Sequence, residues 1–135
     1  MNDTNRNFEK LSEHEESIAT QIVDAAYTVH KNLGPGLLEK IYETCFCHEL
    51  AKRNLSFQRQ VNVPVKYDNI LFDEEVRLDV LVENLVVCEL KAAEFYNALW
   101  DAQLLGYMKL AGKRLGFIIN FNISVIRHGI KRIIM

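Results

Sequence analysis

The sequence predicts a single-domain α/β (α+β) fold, with one central mixed β-sheet flanked by helices. Three observations predict it. Apolar residues recur at helical spacing early in the chain, at Ile18, Ile22, Ala25, Ala26, Val29 and Leu33. Apolar residues alternate with polar ones in the middle, at Val61, Val63 and Val65 and again at Val76, Leu78, Val80 and Val82. The elements then run helix, helix, three or four strands, helix, strands, an order that packs as helices layered on a sheet. At 135 residues the chain has the length of one domain. A polar N-terminal segment, 1–12, precedes a folded domain over 13–135.

Each element has its own signal. Ser12 and Glu15 form a capping box that opens a first helix over about 13–31. Gly34-Pro35-Gly36 ends it, and Pro35 suits the first turn of a second helix. That helix runs to about Arg53 on Leu37, Leu38, Ile41, Cys45, Phe46 and Leu50, with Asn54 as its stop. A strand follows over Phe57–Tyr67, which Pro64 confines to a sheet edge or a bulge. Asp68-Asn69 is a turn, and Ile70-Leu71-Phe72 a short extension. The strands Val76–Val82 and Leu85–Lys91 come next. Asn97 caps a third helix over 98–111, closed by Gly112. Arg114–Asn120 is a strongly apolar strand, and Gly129–Met135 is the last.

Composition excludes several classes. No apolar run reaches the roughly 18 residues of a membrane span, and the polar, acidic start (Met1–Glu16) lacks the apolar core of a signal peptide. Cys45, Cys47 and Cys88 have no zinc-site spacing and read as free thiols in a reducing cytoplasm. His30, His48 and His128 lie on scattered elements and read as ligands to nothing. Net charge is −2, against a general polyanion binder. From Ala102 onward, however, there is no acidic residue, while Lys109, Lys113, Arg114, Arg127, Lys131 and Arg132 supply positive charge. That basic third is a phosphodiester cradle or a solvated surface balanced by the acidic start.

The chemistry concentrates in the middle strands. Asp79 sits on the first of them with Arg77 on its face; Glu89 and Lys91, two apart, share a face of the second. Paired strands bring two carboxylates and an ammonium together, the set that holds a hard divalent cation and an activated water. Asp79 and Glu89 share a face only if the connecting loop has three residues or a bulge. A plain two-residue Glu83-Asn84 turn sets Asp79 against Cys88 instead, so Asn84 is expected at positive φ.

Gly36-Leu37-Leu38-Glu39-Lys40-Ile41-Tyr42 matches the signature that names the GxxExxY family. Asp79 followed by Glu89-Leu90-Lys91 resembles the core of the PD-(D/E)XK nuclease superfamily, to which that family is assigned. Gln103-Leu104-Leu105-Gly106-Tyr107 resembles the Q-x-x-x-Y motif of its exonuclease branch. Leu78 stands where a proline precedes the aspartate in the superfamily pattern. The resemblance covers about 18–135. It implies a PD-(D/E)XK-like fold and metal-dependent hydrolysis of phosphodiester bonds in nucleic acid. Its alternative is a catalytically silent nucleic-acid- or protein-binding module on the same scaffold.

The resemblance also implies roles. Asp79, Glu89 and the Leu90 carbonyl hold Mg²⁺ or Mn²⁺. Lys91, with an ordinary pKa of about 10.4, is a poor general base at neutral pH. It is expected to position the attacking water and offset charge at the phosphate. Glu39 orients water or helps hold a second metal. Gln103 and Tyr107, four apart on one helix face, bind a phosphate oxygen or a metal-bound water. Tyr42 is a supporting residue that packs or hydrogen-bonds beside the site. Arg77 pairs with a carboxylate or binds phosphate. Glu39, Asp79, Glu89, Lys91 and Gln103 are expected to line one concave pocket. Phe95, Tyr96 and Trp100 are expected in core or rim packing rather than as base-stacking platforms. The small size and modest basic patch leave room for a homo-oligomer or protein partner.

Overall fold

The computed structural model describes residues 10–135. Most of the polar segment 1–12 thus lies outside the described residues. The elements are α1 (Glu13–Leu33), α2 (Glu39–Lys52), β1 (Phe57–Tyr67), β2 (Ile70–Val82), β3 (Val86–Lys91), α3 (Leu99–Ala111), β4 (Leu115–Asn120), a short 3₁₀ turn (Ile126–Gly129) and β5 (Ile130–Ile134). The strands form one sheet in chain order, β1-β2-β3-β4-β5. β1, β2 and β3 form an antiparallel meander, β3 and β4 run parallel, and β5 returns antiparallel to β4. The parallel pair requires a crossover, and α3 supplies it.

The sheet has a core on each face. Ile18, Ile22, Ala25 and Ala26 of α1 and Tyr42, Phe46 and Leu50 of α2 meet Val80, Val82, Cys88, Leu90, Phe117 and Ile119 on one face. Leu104 and Met108 of α3 meet Leu78, Leu81, Val87 and Ile118 on the other. Helix α3 lies close at Gly116, where an added Cβ would fall 2.7 Å from Met108 Sδ and 3.1 Å from Leu104 Cδ2. This close seating holds the site-facing side of α3 against the sheet.

The local signals translate directly. Ser12 accepts from the Glu15 N–H at 3.0 Å, and Glu15 Oε1 accepts from the Ser12 N–H at 2.9 Å, so the capping box closes α1. Gly112 ends α3 in the left-handed conformation, φ 70°. Asn97 Oδ1 accepts from the Leu99 N–H at 2.9 Å at the start of that helix. Pro64 sits on the edge strand β1 beside a register shift between Pro64 and Lys66. The extension at Ile70-Leu71-Phe72 is continuous with β2.

Two expectations change. Pro35 does not open α2, which begins at Glu39. Gly34 and Gly36 both have positive φ, 68° and 102°. The buried Tyr42 hydroxyl donates to Gly34 O at 2.6 Å and accepts from the Leu37 N–H at 3.1 Å, holding the loop off the helix. The alternation of β2 also breaks. Val80 and Val82 join the α1–α2 face, but Leu78 joins the α3 face with Leu81. The break lies where Gln60 of β1 opposes Asp79. That pair is missing from a register that is otherwise continuous from Phe57 to Pro64, and Gln60 is left-handed at φ 53°.

Candidate active site

The β2–β3 loop is three residues long, Glu83-Asn84-Leu85, since Val82 pairs with Val86 and Val80 with Cys88. Glu83 and Asn84 both have positive φ, 53° and 54°, and the Leu85 N–H donates to Val82 O at 2.9 Å. Extending the register by one residue sets Asp79 across from Glu89. The backbone ladder stops there and side chains take over. The Asp79 N–H donates to Glu89 Oε1 at 3.2 Å, and the Leu90 N–H donates to Asp79 Oδ2 at 2.9 Å. Lys91 O accepts from the Phe121 N–H on the opposite edge. Because successive residues alternate edges, the Leu90 carbonyl leaves the strand on the Asp79 side.

Beyond this point β2 and β3 part, and two clefts meet. One, of roughly 350 Å³, is lined by Asp79, Glu89, Lys91, Gln103 and Tyr107, with Trp100 at its side. The other, of roughly 570 Å³, is lined by Glu39, Lys40, Glu43, Arg59 and Gln60. Arg77 and Asp79 border both. The single pocket expected for Glu39 and Gln103 is therefore two adjoining clefts with Asp79 on their shared wall. Tyr42 lines neither. It is fully buried, stacked on Phe121 at 4.7 Å, and hydrogen-bonded to the Gly34–Leu37 loop that precedes Glu39.

The carboxylates are electrostatically uncomfortable. Burial, then the neighbouring Asp79 charge, pushes Glu89 up to about 9. Burial raises Asp79 too, against the bond from Leu90. Glu39 is raised by burial and by Asp79, with Lys91 pulling the other way. The Lys91 ammonium lies over the Trp100 ring, 5.4 Å from its centroid, and does not neutralise the pair by direct contact. Burial also raises Cys47, to about 11, and raises Cys88, so neither thiol is a ready nucleophile.

A family model described as the PD-(D/E)XK nuclease superfamily matches residues 16–133. The chain belongs to that superfamily. No curated protein and no solved structure matches the chain. Membership makes the fold a PD-(D/E)XK-like single domain and gives the protein a nuclease-like character, with nucleic acid as the substrate of the superfamily in general. Its nucleases generally depend on a divalent metal.

The donor set here fits such an ion. Glu89 is buried and Asp79 half-buried, both are destabilised as anions, and a backbone carbonyl leaves on their side. Among the described residues no group of three or more His, Cys, Asp or Glu side chains is arranged as a metal cage. Few protein ligands and several waters suit Mg²⁺. No helix among the described residues is long and apolar enough to cross a membrane.

Other residues at this PD-(D/E)XK centre escaped the sequence reading. Glu43, buried, accepts from Arg59 Nε at 2.9 Å and from Gln60 Nε2 at 2.7 Å, which ties α2 to the irregular residue opposite Asp79. Its signal was present: Glu39 and Glu43 are four apart and share a helix face. Phe95 and Tyr96 are not core residues, being 76% and 53% exposed. They lie on the segment between β3 and α3, outside both packed cores. Trp100 packs at the cleft rim, in contact with Tyr96 and Lys91.

Proposed function

We propose that the protein is a GxxExxY-type, metal-dependent phosphodiesterase acting on nucleic acid. One observation carries this reading: the half-buried Asp79 stands directly across from the buried Glu89, with Lys91 on the same strand face. A structural ion pair would bring a cation against these carboxylates. Lys91 instead rests on Trp100.

Asp79, Glu89 and the Leu90 carbonyl would hold Mg²⁺ or Mn²⁺. When bound, the ion lowers the pKa of a coordinated water and polarises a phosphoryl oxygen. Lys91 orients the attacking water and offsets charge building on the phosphate. Gln103 and Tyr107 project from one face of α3 into the same cleft and hold a phosphate oxygen or a water. Arg77, bordering both clefts, takes the phosphate of the neighbouring nucleotide. Glu39 acts from the adjoining cleft on water. The free thiols of the described chain suit a reducing cytoplasm.

The test is cleavage of DNA and RNA, single-stranded and duplex, with Mg²⁺, Mn²⁺ or chelator. Wild type is expected to cut only with metal. Lys91→Ala is expected to abolish cutting while binding falls by the worth of one phosphate contact. Binding without cleavage under any metal, weakened chiefly at Lys109, Lys113, Lys131 or Arg132, would instead identify a silent binding module.

A further inference from the structure

The segment between β3 and α3 leads straight out of the carboxylate cleft, and it carries aromatic rings that the fold does not bury. Phe95 is 76% exposed and Tyr96 is 53% exposed. Neither joins either core cluster among the described residues. Tyr96 meets Trp100 edge-on, with centroids 5.4 Å apart and planes at 76°. Trp100 lines the carboxylate cleft on one side and, on the other, a cavity that Tyr96 and Lys131 border. Tyr96 and Trp100 thus lie in contact beside the site, and Phe95, next to Tyr96 in the chain, adds a further exposed ring on the same segment.

Two ammonium groups accompany these rings. Lys91 lies over Trp100, and Lys131 lies 5.4 Å over the Tyr96 ring. Asp101, which accepts from both Lys131 and the Tyr96 hydroxyl, fixes the ring and the lysine together. Exposed rings flanked by cations beside a phosphodiester site match the face of an unstacked base and the phosphate attached to it. A duplex hides the faces of its bases, whereas a single strand presents them.

The geometry points to Phe95, Tyr96 and Trp100 as a base-stacking platform that makes single-stranded nucleic acid, or an unpaired end, the substrate of this site. This rests on the phosphodiesterase reading and adds the form of the substrate to it. The strand lies with successive bases on the rings and its backbone directed toward Asp79 and Glu89.

Trp100 is the only tryptophan in the chain, so its emission reports stacking directly. The experiment titrates the full-length protein, in chelator to prevent cutting, with single-stranded DNA or RNA oligomers and with duplexes of the same sequence. Expected are quenching of Trp100 by single strands and not by duplex, and tighter binding of the single strands. Phe95→Ala should weaken single-strand binding by about five-fold or more. Phe95→Tyr should restore it and Phe95→Leu should not, because Leu keeps the apolar bulk without the ring. Equal binding of both forms without quenching, or unchanged single-strand affinity in Phe95→Ala, overturns the platform.

Metal-dependent cleavage is measured alongside. Duplex cutting that Phe95→Ala leaves unchanged overturns the platform while the phosphodiesterase reading stands. Quenching and ring-dependent binding with no cleavage supports the platform and removes the phosphodiesterase reading. Wild type that neither binds nor cuts any oligomer overturns both.

Discussion

Leu78 and Val80 lie two residues apart on β2, yet they pack on opposite faces of the sheet. A regular strand keeps such residues on one face. Between them Asp79 faces the left-handed Gln60, and the pair drops out of the ladder. Asp79 consequently belongs to neither packed face and reaches both clefts. A β-branched residue resists the left-handed region, while glycine accepts it. Gln60→Val is therefore expected to be less stable than Gln60→Gly by about 1–2 kcal/mol in urea denaturation. It should also lose more cleavage activity. Equal stability of the two variants would show that the strand pair does not depend on this backbone conformation.

The Glu89 carboxyl gives the metal-free protein a pH dependence of definite sign. Its folded pKa of about 9 exceeds its ordinary value of 4.5. Between those values the folded chain keeps a proton that the unfolded chain has released. The group's contribution is fully present below the unfolded value and is lost as pH rises toward the folded one. In chelator, unfolding free energy is expected to fall from roughly pH 5 to 9, by at most about 1.4 kcal/mol per pH unit. Glu89→Gln should flatten that slope, and an unaltered slope in the variant would assign it to another group.

Divalent cation should act in the opposite direction. An ion that binds only the folded chain raises its stability by mass action, about 2.7 kcal/mol at a hundred-fold excess over Kd. Mg²⁺ is expected to raise the melting temperature of wild type most at high pH, where the carboxylates are ionised. Asp79→Asn should shrink that rise and leave the metal-free fold intact or slightly steadier, because like charges are removed. The same rise in both proteins would place the ion elsewhere.

Glu43 offers a test remote from any reacting atom. Its carboxylate receives Arg59 and Gln60, so Glu43→Ala removes the acceptor of both. The expected loss is about 1–3 kcal/mol, with Glu43→Gln milder because one acceptor oxygen remains. A reduction in kcat by Glu43→Ala at unchanged oligomer affinity would mark it as a positioning residue for Asp79. Loss of stability alone would leave it a brace between α2 and β1.

The hairpin was legible in the sequence because parity is unforgiving. One residue more or less between Val82 and Val86 moves Asp79 off the Glu89 face. The helix ends were legible where chemistry marks them, at Ser12, Asn97 and Gly112. Gln60 was not, since glutamine carries no turn signal and its side chain is held by Glu43 from across the fold. Pro35 misled for a related reason: the bonds from Tyr42 to Gly34 and Leu37 decide that loop, and they form only when α2 is seated.

The outer side of β1 is an open edge eleven residues long, which is the longest invitation the molecule extends to another polypeptide. It is interrupted repeatedly. Gln60 turns its peptide out of the extended conformation, Pro64 has no N–H to offer, and the register shifts before Lys66. Only short stretches of regular backbone remain, below the six or so residues that a fibril-forming segment requires. The irregularity that aims a carboxylate at the cleft therefore also helps keep concentrated protein from polymerising through its most exposed strand.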